Sequence, residues 1–389
     1  MTVLIIPSWY KTESNAILGS FFREQALMLE RAGVEVIVAD VTLQGRADWF
    51  SKRCFSLNTY SDEGVRTYSY VIPAMGIGRL ESGGSEIVYY NLMKIYKKII
   101  SDGYKIDLIH AHSFMPAGIA AVKLGKKENI PVVVTEHSSA VLQKKLSRKR
   151  KVYFKSVIDE ATEIICVSNA LKKSVQDLTD NIRVPVVIPN AVNEKFKYKP
   201  DISEGKFSFI SIGNLVQSKR FDLTIKAFSK RFKGENNVIL KIIGGGVLQD
   251  KLEKLVEEQG IKNQVVFLGR ISRQSVVEEL QKSKVFVLPS DYETFGVVYV
   301  EAMACGLPII GTKNGGSEDI IRESNGILIE RDNVEELADA MHVLYEEYYQ
   351  FNPQMIAKEC QERFGEKTIV SQIKEIYHNY TKENRGMQE

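Results

Sequence analysis

The sequence contains few cysteines, few histidines and no long apolar segment. Its four cysteines are scattered and form no C-x-x-C pair, which argues against a disulfide framework or a zinc site and is typical of a reducing compartment. No segment is long and apolar enough for a membrane span, and no basic signal region precedes the first apolar segment at Val3. The net charge of +3 is too small to indicate a nucleic-acid partner. We expect a cytoplasmic protein whose membrane contacts are at most peripheral.

Short β-branched segments alternate with longer amphipathic ones along the chain. Near-continuous apolar strands separated by helices are typical of parallel sheets that are covered on both faces. The pattern therefore predicts an α/β protein with Rossmann-like, doubly wound sheets. The predicted strands are residues 3–6, 34–40, 107–112, 131–137 and 163–168, followed by 207–213, 238–244, 265–269, 285–290 and 308–311.

A chain of 389 residues exceeds what one hydrophobic core usually supports, so two domains are expected. The two series of strands are separated by residues 190–206, a polar segment without periodicity that we interpret as a linker. The predicted domains are residues 1–188 and 205–365. A final helical segment, about residues 366–389, carries an apolar stripe at helical spacing.

Strand–helix alternation is shared with the dinucleotide oxidoreductases, but their motif is missing. No G-x-G-x-x-G follows a predicted strand, and no Walker G-K-[ST] occurs. The sequence also has no D-x-D pair, a common handle for a divalent ion. We therefore predict neither a metal nor a cofactor.

Residues 289–320 are the most informative part of the chain. Glu293 and Glu301 stand eight positions apart, and Gly296 lies just after the first of them. Carboxylates accept hydrogen bonds from hydroxyl groups, and the free amides at a helix start bind phosphate oxygens. The combination suits a ligand that contains both sugar hydroxyls and phosphates.

This segment resembles the E-x7-E signature of family 4 glycosyltransferases, retaining enzymes of the GT-B fold. The resemblance implies two Rossmann-like domains that face a central cleft and a nucleotide-diphosphate sugar as the donor. It also implies that Glu293 lies close to the transferred sugar and that Glu301 binds the ribose. Residues 296–300 favour a strand by propensity, but the resemblance implies a helix. Its start would bring Thr294, Phe295 and Gly296 to the donor.

The loop after the strand 207–213 resembles the family's G-R-L-x-x-x-K-G motif, in which Arg and Lys neutralise the pyrophosphate. Lys219 occupies the Lys position, which implies a catalytic role; the alternative is a solvated lysine at a helix start. Asn214 replaces the usual Arg, and Arg220 stands where glycine is usual. Lys219 with Arg220 could replace the missing guanidinium, or the diphosphate could be held more weakly.

Other strand ends supply further candidates for donor binding, each with a structural alternative. A glycine triplet around Gly245 would let a ligand approach the backbone closely. The alternative is that it forms a tight turn. Gly19, before a helix, is either a turn residue or faces a phosphate, and Ser20 could cap that helix. The resemblance implies base contacts from the backbone of Arg270 and Ile271. It also implies a donor-side role for Glu318, which could instead complement a helix dipole.

Three of the five histidines lie at predicted strand ends before residue 190. The segment around His137 resembles the family segment whose histidine reaches the reactive region of the sugar, which implies a catalytic role. His110 and His112 share one face of their strand. His112, nearer the strand's carboxyl end, is a candidate for acceptor binding, and His110 is predicted to be a core residue.

The acceptor side is less well defined. Trp9 and Tyr10 follow the first strand and could stack on an acceptor sugar or pack in the interior, and this opening resembles enzymes of bacterial surface polysaccharides. Residues 141–155 are strongly basic with apolar neighbours. Such a segment either docks on an anionic membrane or forms a solvated helical face.

The resemblance implies a retaining, hexosyltransferase-like enzyme. It would transfer a sugar, from a UDP-sugar by preference, to a saccharide or a lipid-linked saccharide on the cytoplasmic side of a membrane. Three alternatives share the fold: a sugar-nucleotide epimerase, an inverting transferase and a non-catalytic protein that binds nucleotide sugars.

Overall fold

The structure, a computed structural model, describes residues 1–11, 19–44, 55–73, 82, 84–179, 184–200 and 205–381. The strands in these ranges are β1 (Thr2–Pro7), β2 (Glu35–Gln44), β3 (Leu57–Asp62), β4 (Val65–Pro73), β5 (Leu108–His112), β6 (Val132–Glu136), β7 (Glu163–Cys166), β8 (Val186–Val187), β9 (Phe207–Ile212), β10 (Val238–Ile243), β11 (Val265–Gly269), β12 (Val285–Leu288), β13 (Ile309–Thr312) and β14 (Gly326–Ile329). The helices are α1 (Ser20–Arg31), α2 (Ser85–Ser101), α3 (Ile119–Glu128), α4 (Ser139–Leu142), α5 (Arg148–Glu160), α6 (Asn169–Gln176), α7 (Phe221–Phe232), α8 (Gln249–Gln259), α9 (Arg273–Gln281), α10 (Val297–Ala304), α11 (Val334–Glu346), α12 (Pro353–Phe364) and α13 (Glu366–Tyr380).

The chain divides into two units. The first contains Met1–Pro189 and Ile369–Glu389, and the second contains Asn190–Thr368. The second unit thus begins inside the segment that the sequence analysis interprets as a linker. The apolar side chains of Val192 and Phe196 in that segment are buried. This burial packs this part of the chain with the second unit. Linker residues 201–204 lie outside the described residues.

Each unit is built around a doubly wound sheet with helices between its strands. The first sheet has the order β3-β4-β2-β1-β5-β6-β7-β8 and is parallel except for β3, which runs antiparallel to β4. The second has the order β11-β10-β9-β12-β13-β14 and is parallel throughout. All ten strands predicted from the sequence are present, and the α/β, Rossmann-like prediction is confirmed. The apolar strand residues form the core of each unit.

The sequence analysis missed the hairpin β3–β4. Its two-residue turn, Glu63–Gly64, has positive φ at both positions (50° and 101°), as the tight turn of a hairpin requires. The strands contain several polar residues each, so they lack the continuous apolar pattern of the buried strands. The glycine turn between them was the available signal.

Helix α13 supplies side chains to the first unit. The hydroxyl of Tyr377 is hydrogen-bonded to His110 on β5 at 2.5 Å, and Lys374 donates to the carbonyl oxygen of Ala32 at 2.9 Å. Ile369 and Ile373 of its apolar stripe are buried. Residues 382–389 of the predicted terminal helix lie outside the described residues. Among the helices of the described ranges, none has the length and apolar character that crossing a membrane requires.

The strand orders locate the crevice of each sheet. Ligands of open parallel sheets bind at the carboxyl ends of the strands where the chain order changes direction. This position lies between β1 and β5 in the first sheet and between β9 and β12 in the second. The candidate residues come from the loops that follow these strands and their neighbours.

Candidate functional site

In the second unit, the loops after β9 and β12 bring Lys219 and Glu293 into contact. The backbone amide of Asp291 donates to the carbonyl oxygen of Ser218 at 2.8 Å, which joins the two loops. Lys219 Nζ lies 2.5 Å from Glu293 Oε1, and both side chains are half-buried. The two residues predicted to be catalytic in this unit therefore form an ion pair at the switch point of the sheet, the position between β9 and β12 where the chain order changes direction.

Helix α10 begins directly after Glu293, where the resemblance implies a helix. Gly296 precedes it with φ 92°, and a Cβ there would lie 2.4 Å from Cδ2 of Tyr299. Glycine is thus required by both the backbone angle and the close approach. Tyr299 is buried, and its hydroxyl donates to the carbonyl oxygen of Leu288 at 2.7 Å. Burial, with the nearby charge of Glu293, raises the pKa of Tyr299 well above its ordinary value, so the hydroxyl keeps its proton.

Glu301, one turn into α10, is only 4% exposed and pairs with Arg273. Arg273 Nη2 lies 2.7 Å from Glu301 Oε1, and its guanidinium stands 4.7 Å from the ring centre of Phe196. Arg273 was missed by the sequence analysis, which placed the candidates of this loop at Arg270 and Ile271. We refer to Lys219, Glu293, Arg273 and Glu301 as the ion-pair cluster.

The residues flanking the α10 start have structural roles in addition to their predicted ones. The Phe295 side chain is buried against Phe364, so only its backbone, with that of the half-buried Thr294, offers polar groups to a ligand. Glu318 accepts hydrogen bonds from the amides of Asn314 and Gly315, at 3.1 and 2.8 Å. It organises the loop that pairs with Glu293, and its donor-side role stays a prediction.

The glycine triplet serves close packing between loops. A Cβ on Gly244 would lie 1.8 Å from the carbonyl oxygen of Gly213, in the loop after β9. Gly245 instead adjoins Arg270, whose Nη2 donates to the Gly245 carbonyl oxygen at 3.4 Å. The triplet thus brings the exposed Asn214, the exposed Arg270 and the half-buried Ile271 onto neighbouring loops. Their contacts with a donor stay predictions.

Arg220 occupies a left-handed backbone position, with φ 53°. This conformation explains why glycine is usual here, since a Cβ disfavours it. The guanidinium pairs with Asp222 at 3.2 Å, with Asp291 at 3.3 Å and with Asp332. Three carboxylates outweigh one guanidinium, so a diphosphate at Arg220 would compete with them. Lys219, which pairs with Glu293, is therefore the better source of positive charge for a diphosphate.

In the first unit, His112 and His137 meet at the carboxyl ends of β5 and β6. His112 Nδ1 lies 3.2 Å from His137 Nε2, and both rings are buried. His110, as predicted, is a core residue: its ring nitrogens bond the hydroxyls of Tyr377 and Thr135 at 2.5 and 2.7 Å. Burial lowers the pKa of His110 and of His137 to about 3 and that of His112 well below its ordinary value, so all three rings are neutral.

Three buried polar atoms at this edge have no hydrogen-bond partner within the described ranges. They are His112 Nε2, Ser113 Oγ and His137 Nδ1. Buried polar atoms are usually paired, so a group of unpaired ones at a strand edge is typical of a binding site. We refer to His112, Ser113 and His137 as the histidine cluster.

Glu136, which the sequence analysis also missed, fixes the backbone at this site. Its carboxylate accepts hydrogen bonds from the amides of Phe114 (2.7 Å), His137 (2.9 Å) and Ser138. The side chain is fully buried, and burial raises its pKa to about 7 against these hydrogen bonds. Its position directly before His137, at a strand end, was the only signal in the sequence.

The loop after β1 differs in part from expectation. Gly19, not Ser20, is the residue that caps α1; its φ is 68°, and a Cβ there would lie 2.5 Å from the carbonyl oxygen of Trp9. Ser20 is already helical and is not the capping residue, whereas the position of Gly19 fits the alternative of a turn residue. Tyr10 is 1% exposed and donates to Asp62 at 3.1 Å, which fits the packing alternative and not stacking on a sugar. Trp9 packs on Phe22, with ring centres 5.1 Å apart.

The basic segment is not one continuous helix. It spans α4 and the first half of α5, with Lys144 between them in a left-handed conformation. Lys144 pairs with Asp177 at 3.0 Å. Val152, 65% exposed, stands among the exposed Lys149 and Lys151. Docking on a membrane stays a prediction.

Sequence comparisons agree with the geometry of both units. Residues 18–196 match the profile described as Glycosyltransferase Family 4, and residues 192–368 match that of Glycosyl transferases group 1. An uncharacterized glycosyltransferase of Methanocaldococcus jannaschii is 33% identical over 291 residues, 74% of this chain and 79% of that protein. This chain belongs to the glycosyltransferase family. A second relative of this glycosyltransferase is the N-acetyl-alpha-D-glucosaminyl L-malate synthase of Bacillus anthracis, 30% identical over 298 residues, 72% of this chain and 77% of that protein.

Solved structures identify the fold. Anabaena HepE, solved in complex with UDP and glucose, superposes with a TM-score of 0.72 at 19% identity, covering 97% of this chain and all of that one. This glycosyltransferase has the GT-B fold.

Proposed function

We propose that this glycosyltransferase moves a sugar from a nucleotide-diphosphate sugar to a saccharide or lipid-linked saccharide and retains the anomeric configuration. The observation that carries the proposal is the Lys219–Glu293 ion pair, which stands at the switch point of the second sheet directly before α10. Glu301 follows one turn into that helix. UDP-sugars are the first donors to test, because HepE binds UDP and glucose.

Each part of the donor has a partner in this arrangement. The free amides at the start of α10 and the ammonium of Lys219 suit the diphosphate. Glu301 suits the ribose hydroxyls, and Glu293 suits the hydroxyls of the sugar. In the first unit, the unpaired polar atoms of the histidine cluster suit a sugar hydroxyl. The diphosphate would draw Lys219 from Glu293 and leave that carboxylate to the sugar.

The chemical step breaks the bond between the anomeric carbon and the diphosphate oxygen. Negative charge then develops on the leaving diphosphate, where fixed amides and an ammonium group stabilise it. We assign no covalent nucleophile, because Glu293 and Glu301 lie on one local element and the proposal gives both to binding, Glu293 to the sugar hydroxyls and Glu301 to the ribose. The acceptor hydroxyl attacks from the face that the diphosphate leaves, and its proton passes to a diphosphate oxygen. Lys219 supplies the charge that a divalent ion supplies elsewhere, so we propose a metal-independent reaction.

We further propose that the acceptor is a cell-surface glycan or its lipid-linked precursor and that the enzyme works at the cytoplasmic side of a membrane. The resemblance of the first loop to enzymes of bacterial surface polysaccharides supports this. The exposed lysines and Val152 of residues 141–155 support contact with an anionic surface. Sedimentation with vesicles that contain anionic lipid tests this part: binding should weaken when Lys149 and Lys151 are both replaced by glutamate.

The decisive experiment begins with thermal shifts of the protein in UDP-, GDP- and ADP-sugars. Nucleotide release and the anomeric configuration of the product by proton NMR follow with the donor that binds. Glu293→Ala and its isosteric match Glu293→Gln should abolish transfer and leave the Kd of the nucleotide within about threefold. Glu301→Ala should weaken the binding of the nucleotide itself by about tenfold or more, because two ribose hydroxyls lose their hydrogen-bond acceptor.

The alternatives predict other outcomes. An inverted product would identify an inverting transferase, and release of an epimerised sugar would identify an epimerase. Binding without any turnover would identify a non-catalytic nucleotide-sugar-binding protein. Turnover by the Glu293 variants at the wild-type rate would contradict the assignment of the site.

A further inference from the structure

We propose that His112 is a positioning residue for His137, and that His137 meets a sugar hydroxyl through Nδ1 and not Nε2. The inference rests on the proposed function for the identity of the ligand. It rests on the histidine cluster alone for the pairing of the two rings.

His112 and His137 face each other through one ring nitrogen each. His112 Nδ1 lies 3.2 Å from His137 Nε2, so one of them donates a proton and the other accepts it. A neutral imidazole carries one N–H, on either nitrogen. If His112 donates from Nδ1, then His137 accepts at Nε2 and carries its own proton on Nδ1. If His137 donates from Nε2, then His112 carries its proton on Nε2. The two rings therefore always share one tautomer.

The surroundings keep the pair neutral and separate from other partners. Phe22 stacks 4.8 Å from His112 and 5.1 Å from His137, measured between ring centres. His110 lies close to His112, but both of its nitrogens are engaged by Tyr377 and Thr135. Burial keeps the pKa of both rings of the pair far below neutral pH. A change of tautomer in one ring thus requires the same change in the other.

The pairing decides which atom of His137 remains for a ligand. Nε2 is engaged by His112, while Nδ1 is buried and has no partner in the described residues. Glu136 holds the His137 amide at 2.9 Å, which fixes the backbone that carries the ring. A sugar hydroxyl both donates and accepts, so it can pair with Nδ1 in either tautomer. His112 then acts on the hydroxyl at His137 Nδ1 through its own bond to His137 Nε2.

Asparagine and glutamine variants test this assignment, because their amides reproduce different ring atoms. An asparagine amide lies where Nδ1 lies, one bond from Cγ, and a glutamine amide reaches the place of Nε2. His137→Asn should therefore keep the sugar contact and turn over about tenfold faster than His137→Gln. At position 112 the bonded atom is Nδ1, so His112→Asn should turn over faster than His112→Phe. His112→Phe, which fills the space without a partner, should lower kcat about tenfold.

A purely structural role would lower stability without this order of rates, so unfolding midpoints are measured for every variant. A His137→Gln variant that is as active as His137→Asn would overturn the inference. So would a His112→Phe variant with wild-type kcat.

Nitrogen NMR of the protein labelled with 15N-histidine tests the pairing without any donor. The signals of His112 and His137, assigned from their asparagine variants, should report the same tautomer, and opposite tautomers would overturn the pairing. This readout is independent of transfer. If no donor supports turnover but the tautomers match, the proposed function fails alone; if turnover occurs and the tautomers differ, the inference fails alone.

Discussion

The histidine cluster and the ion-pair cluster both lie at carboxyl ends of strands around the switch point of their sheets, but they differ in burial, charge and pairing. The first is buried, neutral and contains polar atoms without partners, whereas the second is partly exposed, charged and paired. An unpaired buried polar atom costs about 1–3 kcal/mol, which a ligand hydroxyl can recover. A partly exposed ion pair contributes about 0–1 kcal/mol, so a charged ligand replaces it at little cost. A ligand would therefore add hydrogen bonds at the histidine cluster, whereas at the ion-pair cluster a charged ligand would replace existing ion pairs.

The ion-pair cluster depends on the backbone before α10, and the largest effect we expect comes from disturbing it. Gly296→Ala adds a Cβ at φ 92° and 2.4 Å from Tyr299. We expect the free energy of unfolding of the second unit to fall by about 3 kcal/mol, from the left-handed angle and the overlap together. Hydrogen exchange of peptides from β12 and α10 measures it.

Two other glycines separate the causes. Gly234 has φ 89° but open space, and Gly205 has open space and no positive φ. Gly234→Ala should cost about 1 kcal/mol, and Gly205→Ala should be close to neutral. If Gly296→Ala were no worse than Gly234→Ala, the contact with Tyr299 would not constrain the site.

Acidification should reveal the neutral character of the histidine cluster. In the folded protein the pKa values of His110, His112 and His137 lie below their ordinary value. When the pH falls below that ordinary value, the unfolded chain binds protons that the folded protein does not, so stability falls as pH falls. Burial raises the pKa of Glu136 to about 7 and that of Asp40 to about 6, so these two oppose the trend. The net difference is about one proton between about pH 6 and 4.5, or about 1.4 kcal/mol per pH unit. Below about pH 4, where the unfolded carboxylates are also protonated, Glu136 and Asp40 no longer oppose the trend, and the slope should be about twice as steep.

Tryptophan fluorescence during urea unfolding measures this trend in the first unit alone, because Trp9 and Trp49 both belong to it. The second unit has no buried histidine among its described residues and serves as the control, followed by hydrogen exchange. Equal acid sensitivity of the two units would contradict the contrast between the clusters.

How much of this was predictable from the sequence depends on the range of the interactions. The ten strands were predictable because apolar continuity is local, and Lys219, Glu293 and Glu301 because the short motifs around them resemble those of family 4 glycosyltransferases. The partners that define each cluster were not. Arg273 pairs with a residue 28 positions away, and Tyr377 reaches His110 across 267 positions. Only the packing of the sheets brings such residues together.

The Arg273–Glu301 pair offers a smaller test of the ion-pair cluster. Because Glu301 is buried, removing its guanidinium leaves a poorly solvated carboxylate, so Arg273→Ala should lower the stability of the second unit by about 2 kcal/mol. A double-mutant cycle with Glu301→Gln should give a coupling energy of about 1–2 kcal/mol. The exposed pair Lys254–Glu258, 3.8 Å apart, is the matched control and should couple by less than about 0.5 kcal/mol. Equal coupling of the two pairs would mean that the burial of Glu301 does not matter.

The smallest effect should come from Arg220, although its charge and position suggest a phosphate ligand. Three aspartates engage its guanidinium, and its backbone angle favours glycine. Arg220→Gly relieves about 1 kcal/mol of backbone strain and loses partly exposed ion pairs of similar worth, so stability should change little. The Kd for UDP, measured by calorimetry, should stay within about threefold, while Lys219→Ala weakens it about tenfold or more. Asn214→Arg, which restores the usual guanidinium of the loop, should strengthen UDP binding. Arg220→Gly could instead weaken the binding of UDP as much as Lys219→Ala does. The aspartates would then be positioning Arg220 for the phosphate, and Arg220 would belong to the ion-pair cluster.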